Sequence, residues 1–229
     1  MTGANRGIGR AIVDEALHRG AQRVYAAMRR PVPHPDARVI PLPLDVTDTA
    51  QVQALADRVV ELDMLVNNAG VSVLDDLGER SVLEQHLAVN LFGPYAVTQT
   101  LLPHLLLSRG TVVNVLSLAS LASVPVMPAY SISKAAAYSL TQSQRGLLAP
   151  QGVRVHAVLA GPVDTDMVRD LPVLKADPAS VARAIFDGVA AGAEDIFPDP
   201  LSASIEPGWA TGPIRTLEQA NAALLRAAA

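Results

Sequence analysis

The chain has 229 residues, of which 50% are hydrophobic and 17% charged, and this composition excludes disorder as the main state. Its net charge is −4 and it has no basic run, which disfavours nucleic-acid binding. Its apolar runs are far shorter than the ~20 residues of a membrane helix, no signal segment opens the chain, and the absence of cysteine excludes disulfides. We therefore expect one cytoplasmic domain over residues 1–229, without a membrane partner.

Apolar runs of strand length alternate with amphipathic stretches of helical length, a pattern typical of βαβ units and a parallel sheet. Strands are predicted at 23–28, 39–44, 64–67, 111–116, 153–159 and 195–197, and helices at 8–19, 50–61, 82–107, 130–149, 178–191 and 217–228. Right-handed crossovers place these helices on both faces of one doubly wound sheet. The loops rich in Gly, Pro and Asp at 161–178 and 198–212 are the expected substrate-side elements.

A glycine-rich turn opens the first predicted helix, with the sequence Thr2-Gly3-Ala4-Asn5-Arg6-Gly7-Ile8-Gly9. Because glycine has no Cβ, backbone N–H groups in such a turn can approach a pyrophosphate at the positive end of the helix. The spacing differs from the G-x-G-x-x-G fingerprint. On its own, the segment is explained equally well as a simple turn.

The pair Tyr130 and Lys134 is four residues apart, which puts both side chains on one face of a helix. A nearby ammonium favours the phenolate and so predicts a pKa of Tyr130 below its ordinary value, which suits proton transfer. Ser117 lies at the end of an apolar strand run, where ligands of open α/β sheets bind. Each has a simpler interpretation, because Y-x-x-x-K is common and Ser117, Ser120 or Ser123 could merely form a turn.

Taken together and in this order, the motifs resemble the short-chain dehydrogenase/reductase family from Thr2 to about Asp199, and the resemblance implies a single Rossmann-type α/β domain. The glycine turn is similar to the family's cofactor loop, and Asn67-Asn68-Ala69-Gly70 to its N-N-A-G motif. Tyr130 follows Ser117 by 13 residues, the family's common spacing, which favours Ser117 over the later serines.

The resemblance implies specific roles for these residues. Tyr130 would exchange a proton with a carbonyl or alcohol oxygen, Ser117 would stabilise that oxygen, Lys134 would hold the nicotinamide ribose, and Asn90 would position a relay water. Cofactor contacts are implied, or suggested by charge, for Thr2, Gly3, Arg6, Gly7, Ile8, Gly9, Arg29, Asp45, Val46, Asn68, Ala69, Gly70, Tyr130, Lys134, Gly161, Pro162, Val163 and Thr165. Within this set, Asp45 and Val46 resemble the adenine-contacting pair, and the segment 161–165 resembles the one that holds the nicotinamide carboxamide.

The charge at the end of the second strand of the family's fold predicts the choice of cofactor. An NAD site usually has Asp or Glu there, whereas this chain has Met28 followed by Arg29, with Arg6 in the glycine turn. Since arginine pairs well with phosphate, NADP(H) is favoured over NAD(H). The simpler interpretation is that one or both arginines are solvated surface residues.

No metal site is expected, because His18, His34, His86, His104 and His156 are scattered without ligand spacing and are interpreted as surface or core residues. The acidic cluster Asp75, Asp76 and Glu79 is interpreted as a solvated loop. The resemblance also implies a homodimer or homotetramer.

One departure from the family is the apolar strand that normally precedes the glycine turn, since only Met1 stands there. Because unpaired central strands are costly, we expect that the sequence begins inside a longer reading frame, or that another segment or a neighbouring chain fills the slot. The resemblance implies an NADP(H)-dependent oxidoreductase of the carbonyl reductase type, which interconverts a carbonyl and a secondary alcohol on a small to medium apolar substrate. The alternative is a cofactor-binding redox sensor or scaffold without turnover. Sugar-nucleotide epimerisation is disfavoured, because too little chain follows residue 177.

Overall fold

The computed structural model describes residues 1–170 and 172–227, so that residue 171 and the predicted end of the last helix at residue 228 lie outside the described residues. The strands are β1 (Val24–Met28), β2 (Val39–Pro43), β3 (Met64–Asn67), β4 (Thr111–Val115), β5 (Arg154–Val158) and β6 (Asp195–Ile196). The helices are α1 (Gly7–His18), α2 (Thr49–Gln53), α3 (Leu55–Arg58), α4 (Arg80–Leu87), α5 (Gly93–Ser108), α6 (Pro128–Leu148), α7 (Pro178–Ala190), α8 (Pro200–Ala203), α9 (Glu206–Ala210) and α10 (Pro213–Ala227). None of the helices in these described ranges combines the length and apolar composition that crossing a bilayer needs.

All strand pairs are parallel, in the order β2-β1 on one side and β3-β4-β5-β6 on the other. Met1 and Thr2 lie between these two parts. The Thr2 N–H donates to the carbonyl of Val66 in β3 at 3.0 Å, and the Ala27 N–H in β1 donates to the carbonyl of Met1 at 2.9 Å. The predicted gap in the middle of the sheet is thus bridged at its carboxyl end by these two residues, and the expectation of a further strand there stays a prediction.

The sheet is covered by helices on both faces, as the alternating pattern predicted. One face packs α5 and the short helices α2 and α3 through a buried cluster that includes Val52, Leu101 and Val112. The other packs α1 and α7 through a cluster that includes Ile12 and Ile185. Every residue of β4 is buried, which explains why this strand appears in the sequence as an almost continuous apolar run.

Three regions differ in detail from the predicted elements. The predicted helix at 50–61 is two short helices, α2 and α3, and the predicted helix at 82–107 is α4 and α5 joined by a π-helical turn, Ala88–Phe92. The predicted loop 198–212 contains α8 and α9. For α8 the reason is local capping: Asp199 forms a reciprocal capping box with Ser202, with proline at the first helical position.

Candidate active site

The predicted catalytic side chains come from the turn after β4 and the first turns of α6. Ser117 begins a 3-10 turn, and its Oγ accepts a hydrogen bond from the Ala119 N–H at 3.1 Å. The Lys134 Nζ lies 5.8 Å from the centre of the Tyr130 ring and donates to the carbonyl oxygen of Val115 at 2.9 Å. The three side chains therefore gather beside the carboxyl end of β4.

Burial governs the acid–base behaviour of this group. It raises the pKa of Tyr130, and the Ser117 hydroxyl, within hydrogen-bonding reach, lowers that pKa in part. Burial also lowers the pKa of Lys134, which is 6% exposed, to about 8. The expectation of a phenol pKa below its ordinary value is therefore wrong for this structure, because lost hydration outweighs the favourable interactions of the phenolate.

Asn90 lies inside the protein because the π-helical turn carries it there. Its Nδ2 donates to the Val71 carbonyl at 3.0 Å and to the Ser133 Oγ at 2.9 Å, and its Oδ1 accepts from the Val71 N–H at 2.9 Å. A Cβ built on Gly70 would lie 3.3 Å from the Asn90 Oδ1 and 3.8 Å from the Lys134 Nζ. The N-N-A-G motif, the helix asparagine and the lysine therefore meet at one point.

His86 also belongs to this region, which the sequence analysis did not foresee. Its ring is fully buried, meets the Tyr130 ring edge-on at 6.4 Å between centres, and lies with Nδ1 2.7 Å from the Val82 carbonyl oxygen. This contact assigns the proton to Nδ1, so Nε2 accepts from the Val73 N–H at 3.3 Å. The position of His86, one helical turn before Asn90, was the signal available in the sequence.

Asp75 is not simply part of a solvated loop, as the sequence analysis had it. Its carboxylate accepts from the Ala129 N–H in the first turn of α6, at 3.2 Å to Oδ2. Its own N–H donates to the Val126 carbonyl at 3.3 Å. This contact ties the loop after N-N-A-G to the helix that carries Tyr130.

The glycine turn passes the test for a dinucleotide cradle. Gly3 and Gly7 have φ values of +66° and +52°, and a Cβ on Gly9 would lie 2.1 Å from the Gly3 carbonyl oxygen. Asn68 braces the turn, since its Nδ2 donates to the carbonyls of Thr2 and Gly3 at 3.1 Å each. The N-cap residue of α1 is Arg6, which offers no side-chain acceptor, so the first-turn N–H groups are left for an anion such as a pyrophosphate.

Two arginines bear on the choice of cofactor, Arg6 in the glycine turn and Arg29 after β1. Arg29 follows the buried Met28 at the end of β1 and is exposed. The pKa of Asp45 is lowered first by hydrogen bonds from the Thr47 N–H and hydroxyl, and the charge of Arg29 lowers it further. Arg6 pairs with Asp166 at 3.0 Å, and both side chains are exposed. Asp45 and Val46 follow β2, where Val46 packs against Gly93 at the start of α5.

The segment 161–165 lies between the catalytic turn and the glycine turn. On one side the Leu118 N–H donates to the Ala160 carbonyl at 2.9 Å, and on the other a Cβ on Gly7 would lie 2.8 Å from the Thr165 Cγ2. Val163 is buried and forms a parallel bridge with Ala176. Every predicted segment of the site is thus brought to the carboxyl edge of the sheet.

Comparisons with known proteins show which proteins this chain is similar to. The family model described as "short chain dehydrogenase" matches residues 1–173. A short-chain dehydrogenase of Penicillium ochrochloron is 35% identical over 198 residues, which are 80% of this chain and 71% of that protein. A crystal structure of a short chain dehydrogenase from Burkholderia cenocepacia in complex with NADP has a TM-score of 0.87 and 32% identity, over 95% of this chain and 94% of that one.

A second solved structure shows the fold alone, at 24% identity. It is a short chain dehydrogenase/reductase from Burkholderia phymatum in complex with NAD, with a TM-score of 0.80 over 89% of each chain. Similar structures therefore hold either nicotinamide cofactor, and they do not decide between the two for this chain.

Proposed function

This chain belongs to the short-chain dehydrogenase/reductase family, and we propose that it is an NADP(H)-dependent oxidoreductase that interconverts a carbonyl and a secondary alcohol. We further propose a substrate of small to medium size and apolar character. The observation that carries the proposal is the convergence of Ser117, Tyr130 and Lys134 beside the braced glycine turn. A nicotinamide bound there supplies or accepts the hydride, and the protein contributes orientation and proton transfer.

The side chains divide the proton chemistry between them. The Tyr130 hydroxyl gives a proton to the carbonyl oxygen in reduction, and the Tyr130 phenolate takes one from the alcohol in oxidation. The Ser117 hydroxyl donates to the same oxygen. A buried cavity of about 10 Å³, lined by Asn90 and Lys134 among others, has close to the volume that one water needs. It supports a relay water between these two residues.

Support for NADP(H) comes from charge at the adenosine end of the cradle. Met28 offers no carboxylate to accept a ribose hydroxyl, and its side chain is buried. Arg29 beside it is exposed. The exposed ion pair of Arg6 with Asp166 is weak enough for a 2′-phosphate to replace the carboxylate.

Support for an apolar substrate comes from side chains around the mouth of the site. The segments after N-N-A-G, before α6 and after β5 expose apolar side chains to solvent: Leu74, Val126, Met167, Val173 and Leu174. The contact of Asp75 with Val126 and α6 holds the first two segments together. Apolar groups in this position favour an uncharged ligand surface.

The decisive experiment is a panel of ketones and alcohols assayed with NADPH and NADH separately. We expect turnover with NADPH that falls by about 10²-fold or more in Tyr130→Phe, since the general acid is lost, while NADPH still binds. Tyr138→Phe, on the same helix, is the control and should retain the rate. Binding of NADPH without turnover by any substrate would support the sensor or scaffold instead, and a preference for NADH would contradict the cofactor assignment.

The proposal includes a homodimer or homotetramer in the cytoplasm. Exposed apolar side chains on the helices beside the site, Phe92, Tyr95 and Leu147, support a subunit contact, and a chain with no cysteine fits a reducing compartment. Light scattering coupled to gel filtration measures the assembly directly. A monomer at micromolar concentration would contradict it.

A further inference from the structure

Asp199 is a buried carboxylate at the start of α8, and among the described residues only neutral groups donate to it. It is 5% exposed. Its Oδ1 accepts from the N–H groups of Leu201 and Ser202, both at 3.1 Å, as an N-cap residue does. Its Oδ2 accepts from the Ser202 hydroxyl and from the N–H of Gly161, both at 2.7 Å.

The contact with Gly161 reaches beyond what a helix cap requires. Gly161 is 38 residues earlier in the chain and begins the segment 161–165, which lies between the catalytic turn and the glycine turn. A Cβ on Gly161 would lie 2.7 Å from the Asp199 Oδ1. The close approach of this carboxylate therefore requires glycine at position 161.

A second anchor holds the far side of the same segment. The Ala176 N–H donates to the Pro162 carbonyl at 2.9 Å, and the Asp164 N–H donates to the Ala176 carbonyl at 2.9 Å. Between these anchors the backbone direction at residues 161–165 is fixed. Of the two, Asp199 fixes the end nearer Ser117, because Leu118 bonds to Ala160, the residue before Gly161.

We propose that Asp199 is a positioning residue for the nicotinamide end of the cofactor, acting through the backbone of the segment 161–165. The inference rests on the proposed function in placing the ring beside this segment. It predicts that loss of the contact weakens binding of the whole dinucleotide and leaves binding of its adenosine half unchanged.

The test variant is Asp199→Asn. The amide keeps the shape of the side chain and one acceptor oxygen for the α8 cap. Toward the Gly161 N–H it presents an NH₂ group, and this group cannot accept a hydrogen bond. Ser202→Ala is the matched control, because it removes another donor to the same carboxylate and leaves the contact with Gly161 in place.

Dissociation constants are measured by titration for two pairs of probes, NADPH with adenosine 2′,5′-bisphosphate and NADH with ADP-ribose. We expect Asp199→Asn to weaken the binding of NADPH and of NADH about tenfold, as for the loss of one hydrogen bond to a charged group. The dissociation constants of adenosine 2′,5′-bisphosphate and ADP-ribose should stay within about twofold of their wild-type values. Ser202→Ala should leave both members of each pair within about twofold. Equal weakening of both members, or of neither, would overturn the proposal.

Gly161→Ala disturbs the same contact from the other side and guards against a folding defect in the first variant. If the two residues act as one unit, the double variant should lose no more than the larger single loss. Additive losses would overturn the proposal. A wild-type chain that binds NADPH but reduces no carbonyl would refute the proposed function and leave this binding comparison unaffected.

Discussion

Burial of Lys134 costs the folded protein free energy that depends on pH. Its pKa is lowered by burial from 10.5 to about 8, so between these values the unfolded chain holds a proton that the folded chain has released. The unfolded state therefore binds more protons, and the free energy of unfolding rises with pH across this window. Well below pH 8 both states are protonated, and the full cost of burying the charge applies.

We expect the wild-type chain to gain about 2 kcal/mol in unfolding free energy from pH 7.5 to pH 9.5 relative to Lys134→Met. Urea denaturation of both cofactor-free proteins at the two pH values measures the difference. Tyr130 is present in both proteins, so its own titration cancels to first order. The control is Lys175→Met, at the other lysine, whose curve should run parallel to that of the wild type. Parallel curves for Lys134→Met would refute the prediction.

At the scale of elements, the start of α1 depends on close backbone contacts that leave no room for a side chain. In Gly9→Ala the new Cβ would lie 2.1 Å from the Gly3 carbonyl oxygen and 2.6 Å from the Asn68 Nδ2. The backbone must move, at a cost of about 3 kcal/mol or more. We expect a lower midpoint of thermal unfolding, measured by calorimetry, together with loss of NADPH binding, measured by fluorescence titration.

Gly208→Ala is the matched control for this change. Gly208 lies in α9, and a Cβ there would meet no atom within 4 Å. Since alanine favours the helix over glycine, a neutral or slightly stabilising effect is expected. Normal cofactor binding by Gly9→Ala would mean that the turn is not the cradle.

The predictable elements are those whose signal is local. The strands at 64–67 and 111–116 are predicted nearly to the residue, because buried parallel strands show as short apolar runs between turns. The helical spacing likewise predicted that Tyr130 and Lys134 share one face, and the family resemblance implied that Ser117 acts beside them. The separation of α4 from α5 by a π-helical turn was not predicted, since the apolar period continues through it.

The residues that were missed act through contacts between distant parts of the chain. The Val73 N–H that donates to His86 and the Gly161 N–H that donates to Asp199 both belong to other loops, and neither side chain carries a local signal for that contact. The pKa of Tyr130 was predicted in the wrong direction, because the spacing to Lys134 says nothing about how much water the phenol loses. The helical spacing of Tyr130 and Lys134 can be read from the sequence, whereas the hydration that the phenol loses depends on the packed structure.

For the whole molecule, one buried carboxylate joins the sheet, the catalytic helix and the C-terminal segment. Asp195 in β6 accepts from the Tyr138 hydroxyl at 3.2 Å and the Arg145 Nη2 at 2.8 Å, both on α6. It also accepts from the Trp209 Nε1 at 2.9 Å. Arg145 in turn pairs with Glu218 on α10 at 2.5 Å. Burial and the charge of Asp195 raise the pKa of Tyr138, which therefore stays protonated and donating.

We expect Asp195→Asn to lower the free energy of unfolding by about 3 kcal/mol, because it leaves the buried Arg145 short of one charged partner. Trp209 is the single tryptophan of the chain, so loosening of its contact is read directly as a red shift of tryptophan emission. Asp187→Asn removes the charge of an exposed pair with Arg19 and should cost less than about 1 kcal/mol with unchanged emission. If the two variants unfold at the same urea concentration and with the same spectra, Asp195 does not hold the C-terminal segment onto the catalytic helix.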